Sequence, residues 1–439
     1  MTGGTVKGVV RAAVALLAVG IAGGGGSAAW AQESAVGAAA VGGTVVGARG
    51  SAAVDLGGAG ELASRVRERP AVRTPAVSRI ELPRPTGPHA VGRWTTVLTD
   101  TTRAEVLADD PGDRRELLVE FWYPGRGSVG RAVPYLDPAT QEMWVDRFGF
   151  PAGFVSEVST HSMSGGPALD GRHPVLIFSH GLSWPSAMYQ SFFEELASHG
   201  YVVAAITHPY GADVVVFPDG RRFDFAVVPE RISTDTARER VLAEYVGTWA
   251  ADVRFVADEL VAIDSGRSPV AGHLDLDRVG VFGHSYGGSA SALALDHPRI
   301  RAGLSMEGRV RDSTMRPLHV PKPFMHMIGS YNRAEMVGTE YRAGDGPYYE
   351  VVLDGVWHAM FSDLIYLYAH YADADWHERH RWEVSPRRGI RLMRELLLAF
   401  FGRHLLGEDH VLLHPWSQEA PASMDTSELP EVHLRVDVR

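Results

Sequence analysis

From about Trp94 onward, short apolar runs alternate with longer amphipathic stretches. Residues 174–178 and 278–282 are apolar almost without a break. That is the pattern of a strand covered on both faces, since a strand with one wet face alternates. Residues 117–123 predict a further strand, closed by Pro124, and 201–206, 323–328 and 348–353 predict three more. Between them, 188–198 predicts a helix stopped by Gly200, and 238–263 a long one. Ser385-Pro386 caps a last helix to about Leu406, with Leu392, Leu396 and Phe400 on one face. Asp219-Gly220 between residues 214–217 and 221–225 predicts a small hairpin. Strands alternating with helices imply an α/β fold: a mainly parallel sheet with helices on both faces. No internal repeat is present.

The first ninety residues break this pattern. Lys7 and Arg11 precede an apolar run over 12–22, and Ala29-Trp30-Ala31 has the small-x-small form of a cleavage site. Residues 1–31 are therefore expected to be a signal peptide and the mature chain to be secreted or periplasmic. A membrane anchor needs about 20 apolar residues, whereas this run is shorter and glycines follow it. Residues 32–88 are rich in Gly, Ala and then Pro. They lack the bulky side chains that offset chain entropy, which predicts a tether carrying no chemistry. The catalytic domain is expected over 89–439.

Composition narrows the chemistry. A 45% hydrophobic and 22% charged chain can bury a substantial core. A net charge of -11 argues against a nucleic-acid partner, whose binding draws on clustered Lys and Arg. The absence of cysteine excludes disulfides, thiolate nucleophiles and Cys-ligated metals. His377 and His380 could share a helix face as metal ligands, but with Trp376, Glu378 and Arg379 around them they read as a solvated face. Neither metal nor cofactor is expected.

The candidate chemistry begins at Gly283-His284-Ser285-Tyr286-Gly287, a Gly-x-Ser-x-Gly between an apolar strand and a helix-competent stretch over 289–295. In that context the serine sits on a strained strand-to-helix turn, and the glycines leave room for neighbouring backbone. The following helix N-terminus supplies N–H groups for an oxyanion, that of Tyr286 first. A second donor is expected from the loop after 174–178, where Gly181 permits an unusual turn and the N–H of Leu182 could face the site. His180 is read as a packing residue. The base should follow the last strand, which leads to His358. The acid has two possible places. After the second strand beyond the elbow stands Asn332, which carries no charge, with Glu335 as a fallback; after the first, an apolar run ends in Glu307 before glycine. Glu307 is preferred, with Asp354 a further carboxylate to consider.

These residues carry a family resemblance. The segments Val119-Glu120-Phe121-Trp122-Tyr123-Pro124, Phe178-Ser179-His180-Gly181-Leu182, 196–205, 283–288 and His358-Ala359-Met360-Phe361-Ser362-Asp363 together resemble the platelet-activating-factor acetylhydrolases of the plasma and intracellular type II kind and their bacterial relatives. The resemblance runs from about Leu117 to Asp363 and implies the α/β-hydrolase fold. It also implies an acid after the strand that follows the elbow, on Glu307 where the family usually carries Asp, and oxyanion donors on Leu182 and Tyr286. The lipid-contacting surface helices of the plasma enzymes have no assignable counterpart in this sequence, so the resemblance does not carry over their phospholipid preference. The expected function is a serine esterase working through an acyl-enzyme on short or truncated acyl esters, phospholipid sn-2 groups included, with contact to a membrane surface open. Two rivals remain: a polyester or cutinase-like hydrolase with a groove of Trp184, Tyr210, Trp357 and Met360, and a noncatalytic binding protein on a hydrolase scaffold.

Overall fold

A computed structural model describes residues 79–108, 110–127, 130–148, 150, 153–226, 235–308, 318–332, 341–343, 346–371, 383–413 and 432–437. The signal segment, most of the tether, Glu335, His377 and His380 lie outside the described residues.

Among the described residues one sheet holds β1 (Ile80–Glu81), β2 (Ala90–Ala104), β3 (Arg114–Gly125), β4 (Arg131–Pro134), β5 (Val158–Ser164), β6 (His173–Ser179), β7 (Val202–Thr207), β8 (Leu274–His284), β9 (Ile300–Met306), β10 (Phe324–Gly329), β11 (Tyr348–Leu353) and β12 (Val432–Asp437). Their order is β1-β5-β2-β3-β7-β6-β8-β9-β10-β11-β12, with β4 on β5. From β7 through β6, β8, β9 and β10 to β11 every pairing is parallel. β2 and β3 flank this block antiparallel on one side and β12 on the other. The helices are α1 (Pro138–Phe148), α2 (Gln190–Ser198), α3 (Asp235–Ser265), α4 (Tyr286–Leu293), α5 (Leu364–Tyr371) and α6 (Pro386–Phe401).

Alternating side chains of each central strand serve two cores, as the period of two requires. Leu176 and Phe178 of β6 join Phe193, Leu367, Leu396 and Phe400 from α2, α5 and α6. Val175 and Ile177 of the same strand join Val253, Val256 and Leu260 of α3. Both faces are therefore covered, and the α/β-hydrolase architecture expected from the sequence is observed.

Two expectations are corrected. Pro124 does not close its strand: β3 runs on to Gly125, still paired with β2, because pairing with β7 has already ended at Trp122 and the missing N–H interrupts no ladder there. Nor does the tether extend to residue 88. Ile80 and Leu82 are buried, β1 pairs with β5, and the amides of Thr86 and Gly87 donate to Glu195 and Ser198. The proline-rich composition disguised a segment whose backbone is satisfied partly by a two-residue ladder and partly by side chains of α2.

Candidate active site

The site lies at the carboxyl ends of the parallel strands. From Gly280 onward β8 and β9 stay in register to their last residues, His284 opposite Met306, so Ser285 and Glu307 leave adjacent strands side by side. The Ser285 amide donates to Met306 O at 2.8 Å and the Glu307 amide to Met327 O at 2.8 Å. Both residues have positive φ, 54° and 53°, a conformation that costs an L-residue about 1–3 kcal/mol and is kept only when the surroundings enforce it. At the elbow the enforcement is visible. A methyl on Gly287 would run into the carbonyl of Ser179, and one on Gly283 into the backbone of Gly287. The two motif glycines let three backbones approach one another.

Glu307 is buried and fully engaged. Oε1 accepts the Gly329 amide at 2.9 Å, and Oε2 meets His358 Nδ1 at 2.7 Å. With Nδ1 bound to the carboxylate, Nε2 is the ring atom left for the serine side. His358 opens the short turn His358–Phe361 after β11. Its ring lies 4.4 Å, centroid to centroid, from that of His284, and 6.4 Å from that of Trp184. Glu307 and His358 are thus joined by a hydrogen bond, whereas Ser285 and His358 are brought to neighbouring turns with no hydrogen bond between them among the described residues. Burial, and then the neighbouring His358, hold His284 well below the ordinary imidazole range, so its ring is neutral.

The loop Gly181–Leu182 packs on the turn that carries Ser285: the Gly287 amide donates to His180 O at 3.0 Å, and a Cβ on Gly181 would stand 3.5 Å from that of Ser285. The Leu182 side chain joins the cluster that contains Tyr286. The Leu182 amide has no acceptor among the described residues. The unusual backbone expected at Gly181 falls instead on Ser183, with φ 67°. Ser183 is locked there by donating to Gly211 O at 2.7 Å and accepting from the Asp213 amide at 3.0 Å. What Gly181 supplies is space beside His284 and Tyr189.

The other candidates resolve differently. His180 is buried and bonded to backbone on both nitrogens. Asp354 is half-exposed and pairs with His433 at 2.6 Å, and Asn332 is buried in the turn Ser330–Asn332. Of the proposed groove, Trp184 stands by His284 and His358, but Met360 is buried and Tyr210 packs on Phe223. Sequence reasoning missed a buried network around the site. His208 bonds Ser179 Oγ and Asp252 at 2.7 Å each and stacks on Trp249. Asp252 in turn bonds Arg115 and Arg103. Burial works against charge at Asp252, but Arg115 and His208 outweigh it and keep the carboxyl ionised; burial holds His208 down to about 4. An arginine at the start of an apolar strand was the one signal available.

Residues 76–214 match the family described as platelet-activating factor acetylhydrolase, isoform II, and residues 176–437 match the alpha/beta hydrolase family. A probable 1-alkyl-2-acetylglycerophosphocholine esterase of Arthroderma benhamiae is 28% identical over 261 residues, 54% of this chain and 61% of that one. A platelet-activating factor acetylhydrolase of Canis lupus familiaris is 28% identical over 197 residues, 39% of this chain and 43% of that one. The match therefore spans less than two thirds of either relative. A ferulic acid esterase from Streptomyces cinnamoneus superposes with a TM-score of 0.65 at 24% identity, covering 81% of this chain and 99% of that chain, a likeness of fold.

Proposed function

The chain belongs to the α/β-hydrolase superfamily, within its platelet-activating factor acetylhydrolase family, and from that membership we propose that it is a serine carboxylic-ester hydrolase acting on short or truncated acyl esters, phospholipid sn-2 groups among them. The observation that carries the proposal is the 2.7 Å contact of His358 Nδ1 with a buried Glu307 beside a serine held at positive φ. Ser285 Oγ attacks the ester carbonyl as His358 Nε2 takes its proton, and the Glu307 carboxylate stabilises the resulting imidazolium. The carbonyl oxygen becomes an oxyanion received by the N–H groups of Leu182 and Tyr286. His358 returns the proton to the departing alcohol. Water then adds to the acyl-enzyme with His358 again as base, and the carboxylic acid leaves with Ser285 restored.

Ser285→Ala tests this directly. The variant folds, and ester hydrolysis falls by about 10⁴-fold or more; undiminished turnover refutes the assignment. A graded series of acyl esters tests the substrate class, with rates dropping steeply beyond short chains. We also propose that residues 1–31 direct export and are removed after Ala31, a reading supported by the charged and apolar regions described above. Amino-terminal sequencing of the exported protein checks it: a first residue at Gln32 agrees, and retention of Lys7 refutes it.

A further inference from the structure

The peptide between Gly181 and Leu182 is gripped by its carbonyl. Gly181 O accepts from His180 Nδ1 at 2.7 Å and from the Trp184 amide at 3.0 Å. In a planar trans peptide the C=O and N–H point opposite ways, so holding that carbonyl aims the Leu182 N–H in the other direction. The preceding peptide is held too, the Gly181 amide donating to Tyr189 Oη at 3.2 Å.

The His180 grip requires one tautomer. Its Nε2 lies 3.0 Å from the His208 amide, which can only donate, so Nε2 carries no proton. A neutral imidazole then bears its proton on Nδ1, the atom facing Gly181 O. Burial, and then the neighbouring His208, hold His180 far below the ordinary imidazole range, which keeps the ring neutral. His208 is itself immobilised by Asp252, Ser179 and Trp249.

We infer that His180 is a positioning residue for the oxyanion hole: its Nδ1–H tautomer, imposed by the His208 amide, orients the Gly181–Leu182 peptide so that the Leu182 N–H meets the tetrahedral oxygen. The inference rests on the esterase reading and extends it from the donor to the residue that aims the donor. His180 touches no reacting atom.

In full-length wild-type protein, ¹⁵N resonances of His180 at about pH 7 should show a neutral ring protonated on Nδ1; a ring protonated on Nε2, or on both nitrogens, overturns the inference. His180→Leu should lower kcat for p-nitrophenyl acetate about 30-fold and leave KM within about twofold, because the lost interaction is made only with the transition state. Affinity for a trifluoromethyl ketone, which forms a tetrahedral adduct with the serine, should fall by the same factor. His180→Asn, whose amide can donate from the position of Nδ1, should recover most of the loss. A folded His180→Leu protein with unchanged kcat, or with a loss confined to KM, sinks the inference. If the leucine variant does not fold, the wild-type tautomer and the asparagine variant decide. A wild-type protein that neither hydrolyses the ester nor takes up a fluorophosphonate at Ser285 removes the esterase reading and this inference with it. That failure is distinct from an active wild type indifferent to His180→Leu.

Discussion

At the scale of single residues, Glu307 and Asp363 show how burial and partners give two carboxyls opposite tasks. Glu307 accepts a backbone amide and faces an imidazole, and in the mechanism proposed above its charge holds His358 in the tautomer that leaves Nε2 as the base. Glu307→Gln keeps the shape and removes the charge, and an amide that donates to Nδ1 selects the wrong tautomer. The expected result is a loss of about 10⁴-fold in kcat with little change in melting temperature, read from acetyl ester hydrolysis and circular dichroism. Asp363, next to α5, is fully buried, and burial pushes its carboxyl up to about 7 against the hydrogen bond it accepts from the Ser191 amide. The unfolded chain releases that proton near pH 4, so between about pH 4 and pH 7 the folded state holds more protons than the unfolded. Stability should therefore fall as pH rises through this window and level off above it. Asp363→Asn removes this dependence. Its urea midpoint should exceed that of the wild type at pH 8, by at most the equivalent of about 4 kcal/mol, and the difference should shrink toward pH 5. An equal offset at both values would refute the assignment of this titration to Asp363.

At the scale of elements, the parallel centre and the strand-to-helix turn at Ser285 were legible because each writes its own short-range pattern. β6, residues 279–283 of β8, β10 and β11 are mostly apolar since both faces are covered there. β2 was not read as a strand: its long Thr- and Arg-containing stretch is mostly half-buried, so no clean alternation marks it. The elbow was legible from its glycines, and Glu307 from its place at the end of a strand. The His208–Asp252–Arg115 network was not, because it joins residues from three separate elements or loops that only the folded sheet brings together. The elbow yields a prediction at this scale. Gly287→Ala drives a methyl into the Ser179 carbonyl and so pushes α4 away from β6. If Ser285 is displaced by about 1 Å, the proposed reaction should lose about 10²-fold in rate. Fluorophosphonate labelling of Ser285 should slow by that order, with a lower melting temperature; wild-type labelling would show that the turn tolerates a side chain there.

At the scale of the whole molecule, the same contrast decides where the folded unit begins. Composition places the end of the tether at residue 88, but the segment from Arg79 is tied into the fold at several points. Ile80 and Leu82 are buried in the core of α2, α5 and α6. Thr86 and Gly87 bond to α2, and the buried Arg394 of α6 donates to the carbonyls of Pro83 and Arg84. A chain starting at residue 79 retains the contacts of Ile80, Leu82, Thr86, Gly87 and Arg394 named above. A chain starting at residue 89 exposes the apolar surface that Ile80 and Leu82 cover and strips Arg394 of two acceptors. That leaves it to Glu195 and the Ser191 carbonyl. Two lost apolar side chains and the weakened arginine together amount to a destabilisation of at least about 3 kcal/mol. Urea unfolding of the two truncated chains measures the difference, and equal midpoints would mean that residues 79–88 are a passenger on the domain after all.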